Sequence, residues 1–396
     1  MRIAQLAPLI ESVPPHGYGG TELVVSHLTD ELVKMGHEVT LFATADSRTG
    51  ARLVSTAETG VRAAGIPVHR WSCYELENIL SLMRIQSQFD VIHNHLGFYA
   101  LPFLQNADCA VVSTNHNPIM SYCKNIYFEY SHQPYVSISD AYQRHNFGDR
   151  LNYVARVYNG IEVDAFHPVE NPRCDYVLFI GRICDAKGTR EAIEISKAVN
   201  KPLLIAGKID PADQAYFEAS VKDLIDGENV KYIGEVNFAQ KLELYQNALA
   251  VIYPIKFEEP FGLVMAEALA TGTPTLALDR GSVREVLSDK ETAVIGSSVE
   301  ELIGRFPEIS KLDRRACIDR ARSLFDKTRM AEEYVKVYQK LLDTASQKDK
   351  VSCLEKVSST QNYIAAAVSG KTAAHSGPVL KTFQKTGDAS GSSYLT

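Results

Sequence analysis

No stretch of the chain approaches the roughly 20 consecutive apolar residues that a membrane-spanning helix requires. Nor does a charged leader with a long apolar core precede the first strand-like run, Ile3 to Ala7, so no signal peptide is expected. Cysteine is sparse: Cys73, Cys109, Cys123, Cys174, Cys184, Cys317 and Cys353 are scattered, odd in number and never spaced as Cys-x-x-Cys. That pattern argues against a disulfide framework or a zinc site and implies reduced thiols in the cytoplasm. Basic charge is in deficit, with a formal net charge of -7 and a pI near 5.9. A chain built to coat nucleic acid would carry a basic stripe, so no nucleic-acid partner is expected. The balance leaves room for a local basic patch and hence for peripheral contact at the inner face of a membrane.

What is present is a large apolar fraction, 45% of 396 residues, ample for two α/β domains with separate cores. Apolar runs of four to six residues alternate with longer amphipathic segments, the pattern of a parallel sheet covered by helices. Strands are expected at Ile3–Ala7, Glu38–Phe42, Val91–His93, Ala110–Thr114 and Tyr135–Ile138, with helices at Thr21–Met35 and Tyr74–Gln88. The rhythm restarts at Tyr176–Ile180 and continues through Pro202–Ala206, Val230–Gly234, Leu249–Tyr253, Pro274–Leu278 and Ala293–Ile295. Two doubly wound units are the simplest account, divided in the turn-rich segment Asn159–Pro172. The expected division is 1–165 and 170–325, followed by a helix at 326–345 within a helical stretch beginning at Asp313. The Ser-, Thr-, Gly- and Lys-rich segment 351–396 reads as a disordered tail.

The most informative stretch is Glu259-Pro260-Phe261-Gly262-Leu263-Val264-Met265-Ala266-Glu267. Pro260 suits the first turn of a helix and Gly272 its far end. Amides near Phe261, Gly262 and Leu263 would then lack intrahelical partners and face an anionic or hydroxyl-rich ligand. At 1.5 Å per residue Glu259 and Glu267 stand on the order of 10 Å apart along the axis. Paired glycosidase carboxylates sit closer, roughly 5 to 9.5 Å apart. The spacing fits two grips on opposite ends of one nucleotide sugar.

Three further segments are placed for chemistry. His16-Gly17-Tyr18-Gly19-Gly20-Thr21-Glu22 follows the first strand, where glycines permit close backbone approach to a ligand; it is no G-x-G-x-x-G dinucleotide fingerprint. Gly181-Arg182-Ile183-Cys184-Asp185-Ala186-Lys187-Gly188 follows the first strand of the second unit and offers a planar fork and a mobile point charge to phosphate. His93, Asn94, His95 and His116 end two successive strands of the first unit, at the edge where α/β ligands bind. His93 and His95 lack carboxylates at metal-ligand spacing, so no metal is expected.

The nonapeptide, followed by Ala268-Leu269-Ala270-Thr271-Gly272-Thr273-Pro274, resembles the signature of retaining family 4 glycosyltransferases (glycosyl transferases group 1). Asn159-Gly160-Ile161-Glu162-Val163-Asp164-Ala165-Phe166-His167-Pro168 is similar to that family's inter-domain link. The resemblance covers Met1 to about Asp343 and implies the GT-B fold: two facing Rossmann-like doubly wound parallel-sheet domains, with a C-terminal helix crossing back to the first. It implies transfer of a sugar from a nucleoside diphosphate sugar to an unknown hydroxyl acceptor, configuration retained, with neither metal nor cofactor, in polysaccharide or glycolipid assembly.

Residue by residue, the resemblance gives Arg182 and Lys187 to the diphosphate, Glu259 to the transferred sugar, Glu267 to the ribose and His116 to the reacting sugar. Gly19 and Gly20 would face the diphosphate, with Phe261, Gly262 and Leu263 supplying amides. Ser139 reads as a helix cap, and Ser282 replaces the second glycine of a Gly-Gly-x-x-Glu segment ending at Glu285, where a role in holding the structure is the alternative. Rival readings are an epimerase or hydrolase of nucleotide sugars on the same fold, a non-catalytic nucleotide-sugar-binding subunit, and an NAD-dependent dehydrogenase, which the departing glycine loop disfavours.

Overall fold

A computed structural model describes residues 1–17 and 19–346. The expected tail at 351–396 lies outside the described residues, as does Tyr18. The chain divides into Met1–Asp343 and Thr344–Thr396, and of the second only 344–346 are described, as helix. Everything below concerns the first.

Its strands are β1 (Arg2–Leu6), β2 (Glu38–Phe42), β3 (Arg52–Val54), β4 (Val91–Asn94), β5 (Ala110–Thr114), β6 (Tyr135–Ser137) and β7 (Tyr153–Arg156), then β8 (Val177–Ile180), β9 (Leu203–Ala206), β10 (Val230–Gly234), β11 (Ala250–Tyr253), β12 (Thr275–Leu278) and β13 (Ala293–Gly296). The first seven form one parallel sheet, ordered β3-β2-β1-β4-β5-β6-β7, and the rest a second parallel sheet, ordered β10-β9-β8-β11-β12-β13. In each, strand order reverses beside the first strand, between β1 and β4 and between β8 and β11. Doubly wound sheets bind ligands in the crevice outside the carboxyl ends at that reversal. The two-lobed Rossmann-like architecture expected from the apolar rhythm is present.

Two strands carry no apolar run and were not anticipated. β3 and β7 are edge strands of three and four residues, only partly buried, so their sequences need not be continuously hydrophobic. Central strands such as β4 and β8 are buried on both faces, which is why they are readable as apolar runs.

The helical stretch expected from Asp313 is broken. Arg314–Leu324 forms one helix, and a second begins at Lys327 and runs to the end of the unit at Asp343. At the break the inter-lobe link is stitched in: Ile161 N donates to Phe325 O at 2.8 Å and Lys327 N to Ile161 O at 3.0 Å. The second helix crosses onto the first sheet. Its Met330, Tyr334 and Tyr338 bury against Ile3, Val91, Val112 and Val136, beside Val24, Leu28 and Leu32 of the helix Gly20–Lys34. Each such side chain contributes about 1.5–3 kcal/mol on burial, enough to hold the helix against the sheet.

Candidate active site

The carboxyl edges of the two sheets face each other. A Cβ placed at Gly17 would sit 3.5 Å from Glu235 Oε2, and one at Gly20 would sit 3.5 Å from Leu263 Cδ1. These contacts join the loop after β1 to the loops after β10 and β11. Ser139, after β6, donates its hydroxyl to Pro260 O at 2.7 Å while accepting from Tyr142 N at 2.8 Å, so it is the expected helix cap and also an inter-lobe bond. Glu285 crosses the same gap: its carboxylate accepts the amides of Asp140 at 2.7 Å and Ala141 at 2.6 Å. Its place in the fold is a staple between lobes.

On the second lobe, Lys187 and Glu259 come together although 72 residues separate them, Nζ to Oε2 at 2.9 Å. Tyr253, ending β11, donates to the same oxygen at 2.5 Å. Glu259 is buried, and a buried carboxylate requires such partners. Arg182 lies at the carboxyl end of β8 with Nε 3.3 Å from Asp213 Oδ2.

The helix of the nonapeptide starts later than its proline suggests. It spans Leu263–Ala270 with Gly262 as N-cap at φ 79°, so Pro260 and Phe261 precede it. A side chain at 262 would both strain that left-handed backbone and press on Met265 Cε at 2.5 Å. The capping turn closes with Met265 N donating to Gly262 O, leaving the Leu263 and Val264 amides without an intrahelical partner. At the far end Gly272 N donates to Leu269 O and Thr273 N to Ala268 O, the Schellman pattern expected of a C-terminal glycine.

Glu267 belongs to a separate cluster. It is buried, with Lys241 Nζ 2.6 Å from Oε1 and the Tyr245 hydroxyl donating to Oε2 at 2.9 Å. The two glutamates of the motif thus have different cations, Lys187 and Lys241. Gly281 packs over the first of them: a Cβ there would fall 2.3 Å from both N and O of Glu259, at a backbone φ of 58°. Ser282, where a second glycine was expected, is fully buried and donates to Phe261 O at 2.9 Å. Its side chain ties the loop down instead of leaving space.

On the first lobe the three histidines separate. His93 points into the core, its Nδ1 2.7 Å from the Tyr338 hydroxyl and its Nε2 2.8 Å from Thr114 Oγ1. His95 bridges Gln5 Oε1 at 2.7 Å and His116 Nε2 at 3.0 Å. Burial holds all three below the usual histidine value: His93 and His95 well below it, His116 at about 4. They are neutral imidazoles at physiological pH. Among the described residues no group of three His, Cys, Asp or Glu is arranged to hold a metal ion, no helix is long and apolar enough to cross a membrane, and the six described cysteines are free thiols.

Tyr253, Lys241, Tyr245 and Gln5 were not among the expected site residues. Tyr253 ends a strand at the ligand edge, a position that could have flagged it; Lys241 and Tyr245 sit at i and i+4 on the helix Phe238–Asn247, a face that only the fold brings to Glu267.

Comparison with known proteins places this arrangement. A model of glycosyltransferase family 4 matches residues 18–164 and one of glycosyl transferases group 1 matches residues 162–323, so between them they span both lobes. The chain is 26% identical over 318 residues to a phosphatidyl-myo-inositol mannosyltransferase of Mycolicibacterium smegmatis, covering 73% of this chain and 79% of that one. An uncharacterized glycosyltransferase of Methanocaldococcus jannaschii is 25% identical over 332 residues, covering 73% and 84%. Among solved structures, the fold is similar to that of a sucrose-phosphate synthase from Thermosynechococcus elongatus, with TM-score 0.71 and 18% identity over 87% of this chain and 99% of that one. It is also similar to that of Anabaena HepE in complex with UDP and glucose, with TM-score 0.67 and 16% identity over 86% and 99%. Two facing Rossmann-like lobes, the Glu259 to Glu267 motif and the paired family matches together show that the chain belongs to the GT-B glycosyltransferases of the family 4 type.

Proposed function

We propose that the protein transfers a sugar from a nucleoside diphosphate sugar to an acceptor hydroxyl with retention of configuration, without a divalent metal, in polysaccharide or glycolipid assembly. The observation that carries this reading is the Lys187–Glu259–Tyr253 cluster at the strand-order reversal of the second sheet, beside the Leu263 and Val264 amides that have no intrahelical partner. A diphosphate needs concentrated positive charge at the moment its bond to the sugar breaks. Lys187, Arg182 and the helix start supply it on one edge, and the glycine loop at Gly19 and Gly20 closes over from the other lobe.

In this mechanism Glu259 accepts hydrogen bonds from hydroxyls of the transferred sugar and Glu267 from the ribose, each held by its own lysine and tyrosine. His116 orients the sugar from the first lobe. The bond from the anomeric carbon to the β-phosphate oxygen breaks, the acceptor oxygen bonds the same face, and the acceptor proton passes to the departing phosphate. The mannosyltransferase relative named above gives the glycolipid setting its support.

The test is transfer by folded Lys187→Ala and Glu259→Ala proteins, measured with a nucleotide-sugar panel and cell-extract acceptors in the presence of EDTA. Loss of a preorganised group that faces developing charge lowers kcat by on the order of 10²-fold. Wild-type rates in both variants, or donor turnover that needs no acceptor, would overturn the reading.

A further inference from the structure

The histidines of the first lobe belong to one hydrogen-bonded chain that ends at the site. From the terminal helix, the Tyr338 hydroxyl meets Gln5 Nε2 at 3.2 Å and His93 Nδ1 at 2.7 Å. Gln5 Oε1 meets His95 Nε2 at 2.7 Å, and His95 Nδ1 meets His116 Nε2 at 3.0 Å. Gln5, His93, His95 and Tyr338 are buried, so water does not compete for these groups. The chain ends at His116 Nδ1, a buried atom with no partner among the described residues.

Such a chain has an order of protons. The Gln5 oxygen can only accept, so His95 carries its proton on Nε2 and offers a lone pair at Nδ1. His116 must then place its proton on Nε2, and its Nδ1 is left as a lone pair. On the other arm, the Tyr338 hydroxyl accepts from the Gln5 amide and gives its one proton to His93 Nδ1. His93 Nε2–H in turn donates to Thr114 Oγ1, 3.0 Å from the Tyr334 hydroxyl. Every link has one donor and one acceptor.

We propose that Gln5, His95 and Tyr338 are positioning residues that fix His116 as the Nε2–H tautomer, so that its Nδ1 accepts a hydrogen bond from a hydroxyl of the sugar being transferred. This rests on the placement of His116 beside that sugar. It makes the terminal helix part of the site: a residue 333 positions from Gln5 in sequence sets the proton order at the cleft. The site then selects a group that can donate; a fluorine in place of that hydroxyl cannot.

The test uses the full chain labelled with ¹⁵N at the histidine rings. Two-bond ¹H–¹⁵N spectra at neutral pH report the tautomer, and His116→Ala assigns the His116 signals. The expected wild-type spectrum shows His116 protonated at Nε2; protonation at Nδ1, the mirror-image order, overturns the proposal without any variant. Tyr338→Phe, which keeps the ring, and Gln5→Leu should each convert His116 to a mixture of tautomers and lower kcat about tenfold, far less than the roughly 10⁴-fold of a triad locked in the wrong tautomer. Nucleoside diphosphate affinity, set on the other lobe, should stay within about twofold of wild type. If both folded variants keep the wild-type spectrum and rate, the chain does not set the tautomer. If instead His116→Ala keeps the wild-type rate, the placement beside the sugar fails, and with it the proposed role of the chain at the site.

Discussion

Removing a single hydroxyl tests whether Glu267 is held as described. Tyr245→Phe deletes the donor 2.9 Å from Glu267 Oε2 and keeps the fully buried ring. The carboxylate retains Lys241 at 2.6 Å, so the charge stays compensated and the penalty of roughly 3–5 kcal/mol for a broken buried ion pair does not apply. What is lost is one hydrogen bond to a charged acceptor, about 1.5–3 kcal/mol. If Met1–Asp343 melts as one unit, an unfolding entropy of about 2.1 cal/mol/K per residue gives roughly 0.7 kcal/mol/K, so the midpoint should fall by about 2–4 °C. Differential scanning calorimetry measures the shift, and isothermal titration with UDP, GDP and ADP measures what happens to the ligand. The nucleotide that binds wild type should bind the variant more weakly, because Glu267, the proposed acceptor for the ribose hydroxyls, is less firmly held. A midpoint within about half a degree of wild type, with unchanged affinity, would show that the hydroxyl neither stabilises nor positions Glu267.

Glu285→Ala removes the carboxylate that accepts two amides of the opposite lobe; the lobes should separate more readily, raising the radius of gyration in small-angle scattering and the KM for donor, and an unchanged scattering curve would contradict the staple. Glu75 is buried with its carboxylate on Leu9 N at 3.1 Å, and burial pushes it up to about 8 from 4.5. The folded chain therefore holds a proton that the unfolded chain releases above pH 4.5, and stability falls as pH rises from there to about 8, by up to ~5 kcal/mol. Glu75→Gln should raise the melting temperature at pH 8.5 and leave it nearly unchanged at pH 4.5; equal shifts at both pH values would refute the assignment. Gly281→Ala, which drives a methyl to 2.3 Å from the Glu259 backbone, should lower both the melting temperature and the transfer rate, whereas a wild-type melting curve would show that the loop can yield.

Legibility in the sequence followed burial and distance along the chain. Strands buried on both faces, such as Val177–Ile180 and Ala250–Tyr253, were readable to within one residue because continuous apolar runs have few other uses. The edge strands Arg52–Val54 and Tyr153–Arg156 were not, since partial burial demands no such run. The helix after Glu259 was expected at Pro260 because proline suits a first turn; Gly262 in the left-handed region moved its start to Leu263. The break at Phe325 and Asp326 was hidden because its cause is a pairing with Ile161, far away in sequence. The same limit applied at the site. Glu259, Glu267, Arg182, Lys187 and His116 stood out through local motifs, whereas Tyr245, Lys241, Gln5 and Tyr338 reach their partners only through the folded topology.

The central claim is that the sugar leaves a nucleoside diphosphate and keeps its anomeric configuration. Its most direct measurement is the ¹H NMR coupling of the anomeric proton in the first-formed product, taken with each nucleotide sugar that the protein consumes and with EDTA present. The account predicts the same configuration in product and donor, formed at an undiminished rate. An inverted anomeric centre, or a product that forms only when a divalent metal is restored, would contradict it.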